Sequence, residues 1–481
     1  MASRSVRRNR LAWPLVCATM ATLGTFRASP ARAQQPEQAA AQTAAQPPPQ
    51  ASSQPAAQSP VQKPALKPPL PNRFNDVTPK WLTMRGEFRD RTEGGRNIGF
   101  TSGRDDVYFL NRFRFDVAVK PSPMLSVFVQ AQDARVQQKD VGSTTAPFRD
   151  TFDLRQAYAE IGNTQKGPIT LRAGRQEMFF GEQRLIGHLT WVNGARSFDG
   201  VRATFRAKGL KLDAFATSVV RIQDGEFDKS GNGNRFVGAY GSATSWIPKA
   251  TVEPYVFWKR DQSLRAERGD IGDLSLLTIG ERWVGKLPAS FDYGAEMAYQ
   301  TGSLGSDEVS AWAGHWIVGN TLGGKWKVRV AEEYNFATGD GSPADGKRGT
   351  FDQLYPTGHD KMGLADQVGW RNIRDLRSIV EVTPHKGWPV TASLHSWWLA
   401  DAHDGLYSAS GALVTRVATG AAGSRVGDEI DVQVAHAISP QVQLSGGVAH
   451  VFPSQFLKAT TPGADYTYPF VMVTYVFLAD K

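Results

Sequence analysis

Apolar and polar side chains alternate along most of this chain after Trp81. The clearest stretch is 111–119, Asn-Arg-Phe-Arg-Phe-Asp-Val-Ala-Val, in which one face carries mostly apolar side chains and the other carries charges. The stretches 327–330 and 429–434 repeat the pattern. A period of two residues is typical of a β-strand with two chemically different faces. The pattern therefore predicts an all-β protein.

The alternating stretches number about eighteen, and short connections rich in Pro or Gly separate longer polar ones. An even strand number with tight turns at one end and long loops at the other is typical of a transmembrane antiparallel β-barrel. The longest connections are predicted at roughly 338–371 and 401–427. The strands are predicted to begin near Trp81, Val107, Leu125, Thr151, Ile169, Ser197, Leu210, Arg235, Thr251, Leu274, Phe291, Val309, Lys325, Asn372, Val390, Asp428, Val442 and Thr467.

The stretch 170–205 is compatible with two architectures, a soluble β-sandwich and a membrane β-barrel. It reads as a strand, a polar and aromatic loop, and a second strand, each strand with one apolar and one polar face. In a soluble sandwich the apolar face packs in a core, whereas in a membrane barrel it faces lipid and the polar face lines the lumen. Several strands carry two or more like charges on one face, which favours a wet lumen. Tryptophans near the strand ends favour the barrel too, because such barrels carry aromatic girdles.

The N-terminus carries the features of a secretory signal. Four arginines precede an apolar stretch, 11–26, and Ala31-Arg32-Ala33 is a small-x-small cleavage site. We therefore predict a signal peptide at 1–33. Residues 34–72 are mainly Ala, Gln, Pro and Ser, which bury too little apolar surface to fold, so they form a predicted disordered linker. The barrel is assigned to 75–481.

Net charge and cysteine content exclude several classes of function. The 481 residues carry a formal charge of +9, but the signal holds six arginines and no acid, which leaves +3 for the rest. Most of the excess positive charge thus belongs to the signal peptide, and no nucleic-acid partner is predicted. The only cysteine, Cys17, lies in the signal, so the exported chain has no disulfide and no cysteine nucleophile.

Charged side chains on the inward parity of their strands are predicted to line the lumen. The charged side chains of the loop 174–196 are added because their residue type suits a constriction, if this loop folds inward. Arginine suits a pore for anions, since its planar guanidinium pairs with carboxylates and stays charged. Acidic partners keep the binding weak enough for release. The alternative is a set of structural cross-strand salt bridges without selectivity. Five arginines are inward by strand parity: Arg112, Arg114, Arg155, Arg172 and Arg202. The loop is predicted to hold Arg175, Arg184 and Arg196, and the predicted set is completed by Asp116, Glu160, Glu177, Asp199, Glu429 and Asp431.

Motifs for catalysis or metal binding are missing from the sequence. The histidines are scattered without His-x-x-x-His or Glu-x-x-His spacing, and there is no Gly-x-Ser-x-Gly elbow. The stretch 340–345 resembles part of a Ca²⁺ loop but lacks the distal glutamate, so a plain turn is the better interpretation. We predict no enzyme activity, no catalytic residue, no metal site and no cofactor.

Several stretches resemble the alginate export family of outer-membrane porins. The resemblance rests on the runs 174–177, 181–185 and 196–202 with Trp191 between them, and on 154–158, 427–431 and 451–457. It covers the chain from about Trp81 onward. The resemblance implies an eighteen-stranded β-barrel with an arginine-rich pore for an anionic polysaccharide.

Three functions remain open at this point. The first is a bacterial outer-membrane porin that passes anionic, alginate-like polysaccharide or oligosaccharide by diffusion through an arginine-rich lumen. The second is a general or weakly anion-selective porin for small solutes. The third is a surface-loop adhesin or assembly scaffold. The expected partners are the anionic solute, outer-membrane lipid and a periplasmic partner bound through the linker at 34–72.

Overall fold

The computed structural model describes residues 73–163, 167–231, 233–267, 269–342 and 344–478. The predicted signal peptide and linker lie outside the described residues. The first eleven strands are β1 Leu82–Gly95, β2 Asp106–Ser122, β3 Leu125–Gln137, β4 Asp150–Ile161, β5 Ile169–Gln176, β6 Phe198–Ala207, β7 Leu210–Arg221, β8 Lys229–Ser230, β9 Arg235–Ala243, β10 Ala250–Arg265 and β11 Ile271–Lys286. The remaining strands are β12 Phe291–Leu304, β13 Asp307–Thr321, β14 Arg329–Ala337, β15 Lys347–Arg348, β16 Ile373–His385, β17 Trp388–Leu399, β18 Gly405–Tyr407, β19 Leu413–Arg416, β20 Arg425–Ala437, β21 Val442–Pro453 and β22 Tyr466–Phe477.

Eighteen of these strands form one closed antiparallel barrel. The short strands β8, β15, β18 and β19 belong to loops, and every other strand pairs with its next long neighbour along the chain. The first and last strands, β1 and β22, close the ring, with Gly86 opposite Phe477 and Glu93 opposite Phe470. The predicted fold class is therefore confirmed. Each predicted strand start lies within four residues of the observed one, and the largest difference is at Lys325, where β14 begins at Arg329.

Connections at one end of the barrel are tight, and most of those at the other end are long. The tight end includes 123–124, 208–209 and 386–387, whereas the opposite end carries 177–197, 338–372 and 400–424. Two connections at the long-loop end, 266–270 and 305–306, are short, so the alternation in length is not complete. The helices are α1 Phe74–Val77, a 3-10 helix Ile98–Phe100 and α2 Gln455–Thr460. Within the described residues, no helix has the length and apolar character needed to cross a membrane.

The two faces of the wall are the reverse of those in a soluble protein. On β2, Phe109 and Phe113 point outward with 38% and 40% of their surface exposed, while the inward Arg112 and Arg114 are 4% and 6% exposed. Large apolar side chains are exposed on the outer parity of many other strands as well. An outward apolar surface around a polar interior indicates contact with lipid, because lipid removes the cost of exposing apolar area.

A single asparagine ties the start of the barrel to its closing strand. The buried Asn75 side chain donates from Nδ2 to the carbonyl oxygens of Met84 (2.7 Å) and Leu478 (3.1 Å). Its Oδ1 accepts from the backbone N–H of Met84 at 2.9 Å. These bonds join α1 to β1 and to the residue that follows β22.

Replacing Asn75 with alanine is expected to weaken this closure. The change leaves partly buried backbone groups of Met84 and Leu478 without this partner, and the cost is at most about 1–3 kcal/mol for each group that water does not reach. The temperature at which the folded band converts to the unfolded band in SDS gels should fall. Asp76→Ala, at an exposed position of the same helix, is the matched control. Equal transition temperatures for the two variants would contradict the assigned role of Asn75.

Candidate pore constriction

The connection 177–197, which we call the first inner loop, crosses the interior of the barrel. It leaves the wall between β5 and β6 but reaches β1 and β2, where Arg89 and Arg112 donate to the carbonyl oxygen of Thr190 at 2.8 and 3.0 Å. The Asn193 side chain donates to the carbonyl oxygens of Asn111, Arg135 and Phe148. One rim of the barrel thus holds one side of this loop.

The other side of the first inner loop is held by charged pairs to the far wall. Arg184 Nη2 lies 2.6 Å from Glu333 Oε1 on β14, and Glu182 Oε1 lies 2.8 Å from Arg282 Nη2 on β11. Strands β1 and β2 are not neighbours of β11 or β14 in the sheet. The loop therefore spans the barrel rather than following its wall.

A second inner loop, 349–371, pairs with the first inside the barrel. Ile186 and Tyr355 form a parallel bridge, in which Tyr355 N–H donates to Leu185 at 2.8 Å and Gly187 N–H donates to Tyr355 at 2.8 Å. Arg196 Nη1 donates to the carbonyl oxygens of Gly187 (3.1 Å), Tyr355 (2.5 Å) and Pro356 (2.9 Å). Arg196 thus fastens the two loops to each other.

Aromatic side chains fill part of the interior, which the alternation did not predict. Phe180 of the first inner loop stacks on Tyr240 at 4.6 Å and on Phe215 at 5.7 Å. Phe236 and Phe257 complete this buried group on the inward faces of β9 and β10. The barrel interior next to β7, β9 and β10 is therefore an apolar core rather than a wet lumen.

Four buried arginines on strands β1, β2 and β4 lie next to the first inner loop. Arg112, Arg114 and Arg155 are members of the predicted set, and Arg89 joins them. Arg112 Nη2 lies 2.7 Å from Glu87 Oε1, and Arg155 forms a salt bridge with Glu177. One guanidinium nitrogen on each of these four arginines has no hydrogen-bond partner among the described residues: Arg89 Nε, Arg112 Nε, Arg114 Nη2 and Arg155 Nε.

The positive field of these arginines reaches the first inner loop. Burial and the Arg155, Arg114 and Arg112 guanidinium groups lower the pKa of His188 to about 3, so its imidazole is neutral at physiological pH. Arg89 is not among the residues predicted from the sequence, although Arg85, Arg89 and Arg91 share the alternation of the stretch 85–91. Its strand parity, the property that identifies Arg112, is the signal that points to it.

A second arginine group lies nearer the tight-turn end and is partly exposed. Arg172 on β5 and Arg202 on β6 are direct cross-strand partners, with 26% and 16% of their side chains exposed. Like charges directly opposite each other are destabilising, so each arginine needs an acid on its other side. Arg172 has Glu160 at 2.8 Å, and Arg202 has Asp213 at 2.8 Å. The two guanidinium groups form an adjacent cationic pair between two carboxylates, which we call the Arg172–Arg202 pair.

Arg175 and Asp199 lie elsewhere than the sequence suggested. The prediction that Arg175 belongs to the loop is wrong, because β5 continues to Gln176 and places Arg175 opposite Asp199 on β6. Their side chains form a salt bridge at 2.8 Å on the outward parity shared with the exposed Leu171 and Val201. This pair lies in the wall near its long-loop rim, and we remove it from the pore-lining set.

The remaining predicted acids anchor backbone or side chains. Glu429 and Asp431 on β20 are buried and accept from the backbone N–H groups of Ala365 (3.0 Å) and Leu364 (3.3 Å) in the second inner loop. Asp116 on β2 accepts from Gln130 at 2.7 Å. These carboxylates position loops and neighbouring side chains.

Comparison with known proteins agrees with this architecture. Residues 80–471 match the model of the alginate export family. The fold resembles crystal structures of Pseudomonas aeruginosa OccK8 (OprE), with a TM-score of 0.55, 11% identity and coverage of 82% of this chain and 98% of that chain. It also resembles Pseudomonas aeruginosa OccD3 (OpdP), with a TM-score of 0.54, 11% identity and coverage of 83% and 91%. Acinetobacter baumannii OccAB4 gives a TM-score of 0.54, 11% identity and coverage of 82% and 98%. No curated protein sequence matches the chain.

The family match, the closed eighteen-stranded barrel and its likeness to outer-membrane porins agree with one another. They place the protein in the bacterial outer membrane, with tight turns toward the periplasm and long loops outside. The chain belongs to the alginate export family and is a porin-like outer-membrane β-barrel.

Proposed function

We propose that this porin passes acidic oligosaccharides or polysaccharides, such as polyuronates, by diffusion and prefers anions over cations. The observation that carries the proposal is the Arg172–Arg202 pair, which offers two adjacent, partly exposed guanidinium groups on the inward face of the wall. A uronate carries one carboxylate per sugar. A carboxylate that bridges two arginines regains in charged hydrogen bonds much of what it loses in hydration.

The neighbouring acids make the proposed binding reversible. Glu160 and Asp213 already neutralise Arg172 and Arg202, so a passing carboxylate displaces an internal partner instead of meeting bare cations. Permeation requires binding that is strong enough for entry and weak enough for release. The buried arginines on β1, β2 and β4 add a positive potential at the first inner loop, because several of their nitrogens lack acceptors.

A second candidate function is an anion-selective porin for small solutes. The observation that favours it is the bridge between the two inner loops, together with the aromatic core around Phe180, because both reduce the space available to a polymer. Both candidates use the same cationic groups. They differ only in the size of the largest solute that passes.

The wild-type protein should be anion-selective when it is reconstituted in planar lipid bilayers. Reversal potentials under a potassium chloride gradient measure this preference, since the arginines raise the local concentration of anions. Short oligouronates should then reduce the single-channel current in a concentration-dependent manner, while neutral oligosaccharides of equal length serve as the control. Block by single uronates with no effect of longer chains would select the small-solute function. Cation selectivity would overturn both, and a membrane-inserted barrel without conductance would favour the adhesin or scaffold.

The N-terminal assignments remain part of the proposal. We infer cleavage of residues 1–33 during export and a linker at 34–72 that extends into the periplasm and binds a partner there. Mass spectrometry of the purified protein should give an N-terminus at Gln34. A barrel that lacks 34–72 should conduct as the full-length protein does, because the eighteen wall strands lie between Leu82 and Phe477.

A further inference from the structure

Three aspartates converge at the long-loop rim of the barrel, beside the part of the first inner loop that contains Gly194. Asp150 and Asp153 lie at the start of β4, and Asp228 lies in the connection between β7 and β9. One carboxylate oxygen from each lies within 4.8 Å of those of the other two. This separation is about twice a Ca²⁺–oxygen bond of roughly 2.3–2.6 Å, so one ion between them would reach all three.

Each of the three carboxylates is already held by one of its oxygens. Asp150 Oδ2 accepts from Gln132 Nε2 at 2.7 Å, and Asp228 Oδ1 accepts from the backbone N–H of Gln223 at 2.8 Å. Asp153 Oδ2 accepts from the backbone N–H of Asp228. The three side chains are therefore fixed in position before any ligand binds, which lowers the entropy cost of binding.

A separate observation indicates that a cation belongs between them. Asp150 is 2% exposed, yet its Oδ1 has no hydrogen-bond partner within the part of the chain that the structure describes. A buried carboxylate oxygen without a donor or a counter-ion is costly. Arg175 lies 3.4 Å from Asp153 Oδ1, but its other nitrogens bind Asp199 and the Asp228 carbonyl oxygen. The charges of Arg155 and Arg114 also act on Asp150, but neither forms an ion pair with it among the described residues.

We propose that Asp150, Asp153 and Asp228 bind a divalent cation, with Ca²⁺ as the best fit. Three carboxylate oxygens are hard ligands, and no histidine belongs to the cluster, so Zn²⁺ is disfavoured. Ca²⁺ tolerates irregular geometry and completes its shell with water, whereas Mg²⁺ demands a near-ideal octahedron. With only three protein ligands the site is weak, in the range of extracellular modules. Binding fixes the connection 222–234 to β4.

The proposal is tested on the full-length protein in detergent after treatment with EDTA. Calorimetric titration with calcium chloride should give one site in the wild type, and the unfolding temperature should rise with calcium, because a ligand that binds only the folded state stabilises it. Asp228→Asn should lose most of the affinity and of the temperature shift. Glu226→Gln, at an exposed position of the same connection, should keep both.

A second comparison separates a metal ligand from a purely structural residue. Without calcium, Asp228→Asn should be at least as stable as the wild type, because it removes a repelling charge from the cluster. Asp150→Asn provides the same test if Asp228→Asn does not fold. Absence of calcium binding to the wild type at about 10 mM, well above the affinity range of extracellular sites, would overturn the proposal. Unchanged binding by a folded Asp228→Asn or Asp150→Asn variant would overturn it too.

Discussion

Replacing Arg196 with alanine is expected to raise the single-channel conductance of the reconstituted barrel several-fold. The Arg196 side chain donates to three carbonyl oxygens, two of them in the second inner loop. All three contacts come from Nη1, which carries two hydrogens. Hydrogen bonds from a charged donor contribute about 1.5–3 kcal/mol each, so the loss of about two such bonds should favour separation of the inner loops. The measurement is the single-channel current of wild type and variant in planar bilayers. The change should not alter the barrel itself, because Arg196 lies outside the strands.

Two further variants separate the effect of losing the contacts between the inner loops from the effect of losing the positive charge of Arg196. Arg196→Lys keeps the charge but cannot reproduce the arginine geometry at several carbonyl oxygens, so it should give an intermediate conductance. Arg235→Ala removes an exposed positive charge at the start of β9 and should conduct as the wild type does. An Arg196→Ala channel with wild-type conductance would show that the inner loops stay together without this residue.

The second large effect is expected for the Arg172–Arg202 pair. The double change Arg172→Gln and Arg202→Gln should move the reversal potential toward cation preference, since Glu160 would then lose its cation and Asp213 would keep only Lys211. Asp213→Asn should shift it in the opposite direction, because Arg202 loses its neutralising acid. Glutamine and asparagine keep hydrogen-bonding capacity and approximate size, so the wall is expected to fold.

Arg112 and Arg114 are less suitable for this experiment. Both are buried and bonded to neighbouring groups, so their replacement would release the first inner loop and change pore size together with charge. A reversal potential that is unchanged in the double variant would mean that ions do not pass near Arg172 and Arg202. The proposed function would then lose its main support.

Strand positions could be predicted from the sequence because the residues that determine each strand are close together along the chain. Alternation of charged and apolar residues marks β2, β5 and β20, and turn residues mark their ends. Glycine is typical of turns, so the predicted loop begins at Gly174, two residues before β5 ends at Gln176. A side chain at Gly174 would collide with the Ala157 carbonyl oxygen on β4, so the glycine serves close strand approach within the sheet.

The constriction could not be predicted in detail because its contacts join distant parts of the chain. Nothing near Arg196 in the sequence points to Tyr355, and nothing near Arg184 points to Glu333. The aromatic core was missed for another reason. Around Phe215 and Phe257 both strand faces carry apolar residues, so alternation does not distinguish the interior from the lipid side.

The bridge between Ile186 and Tyr355 also bears on how the protein is assembled. Its two halves come from connections on either side of eight long wall strands, β6 to β14 without the short β8, so this bridge cannot form until those strands are in place. A barrel arrested before that stage would hold the first inner loop only by its contacts with the strands before β14, such as β1, β2 and β11. The complete constriction therefore forms late in assembly, and we expect such an intermediate to pass more solute than the finished barrel.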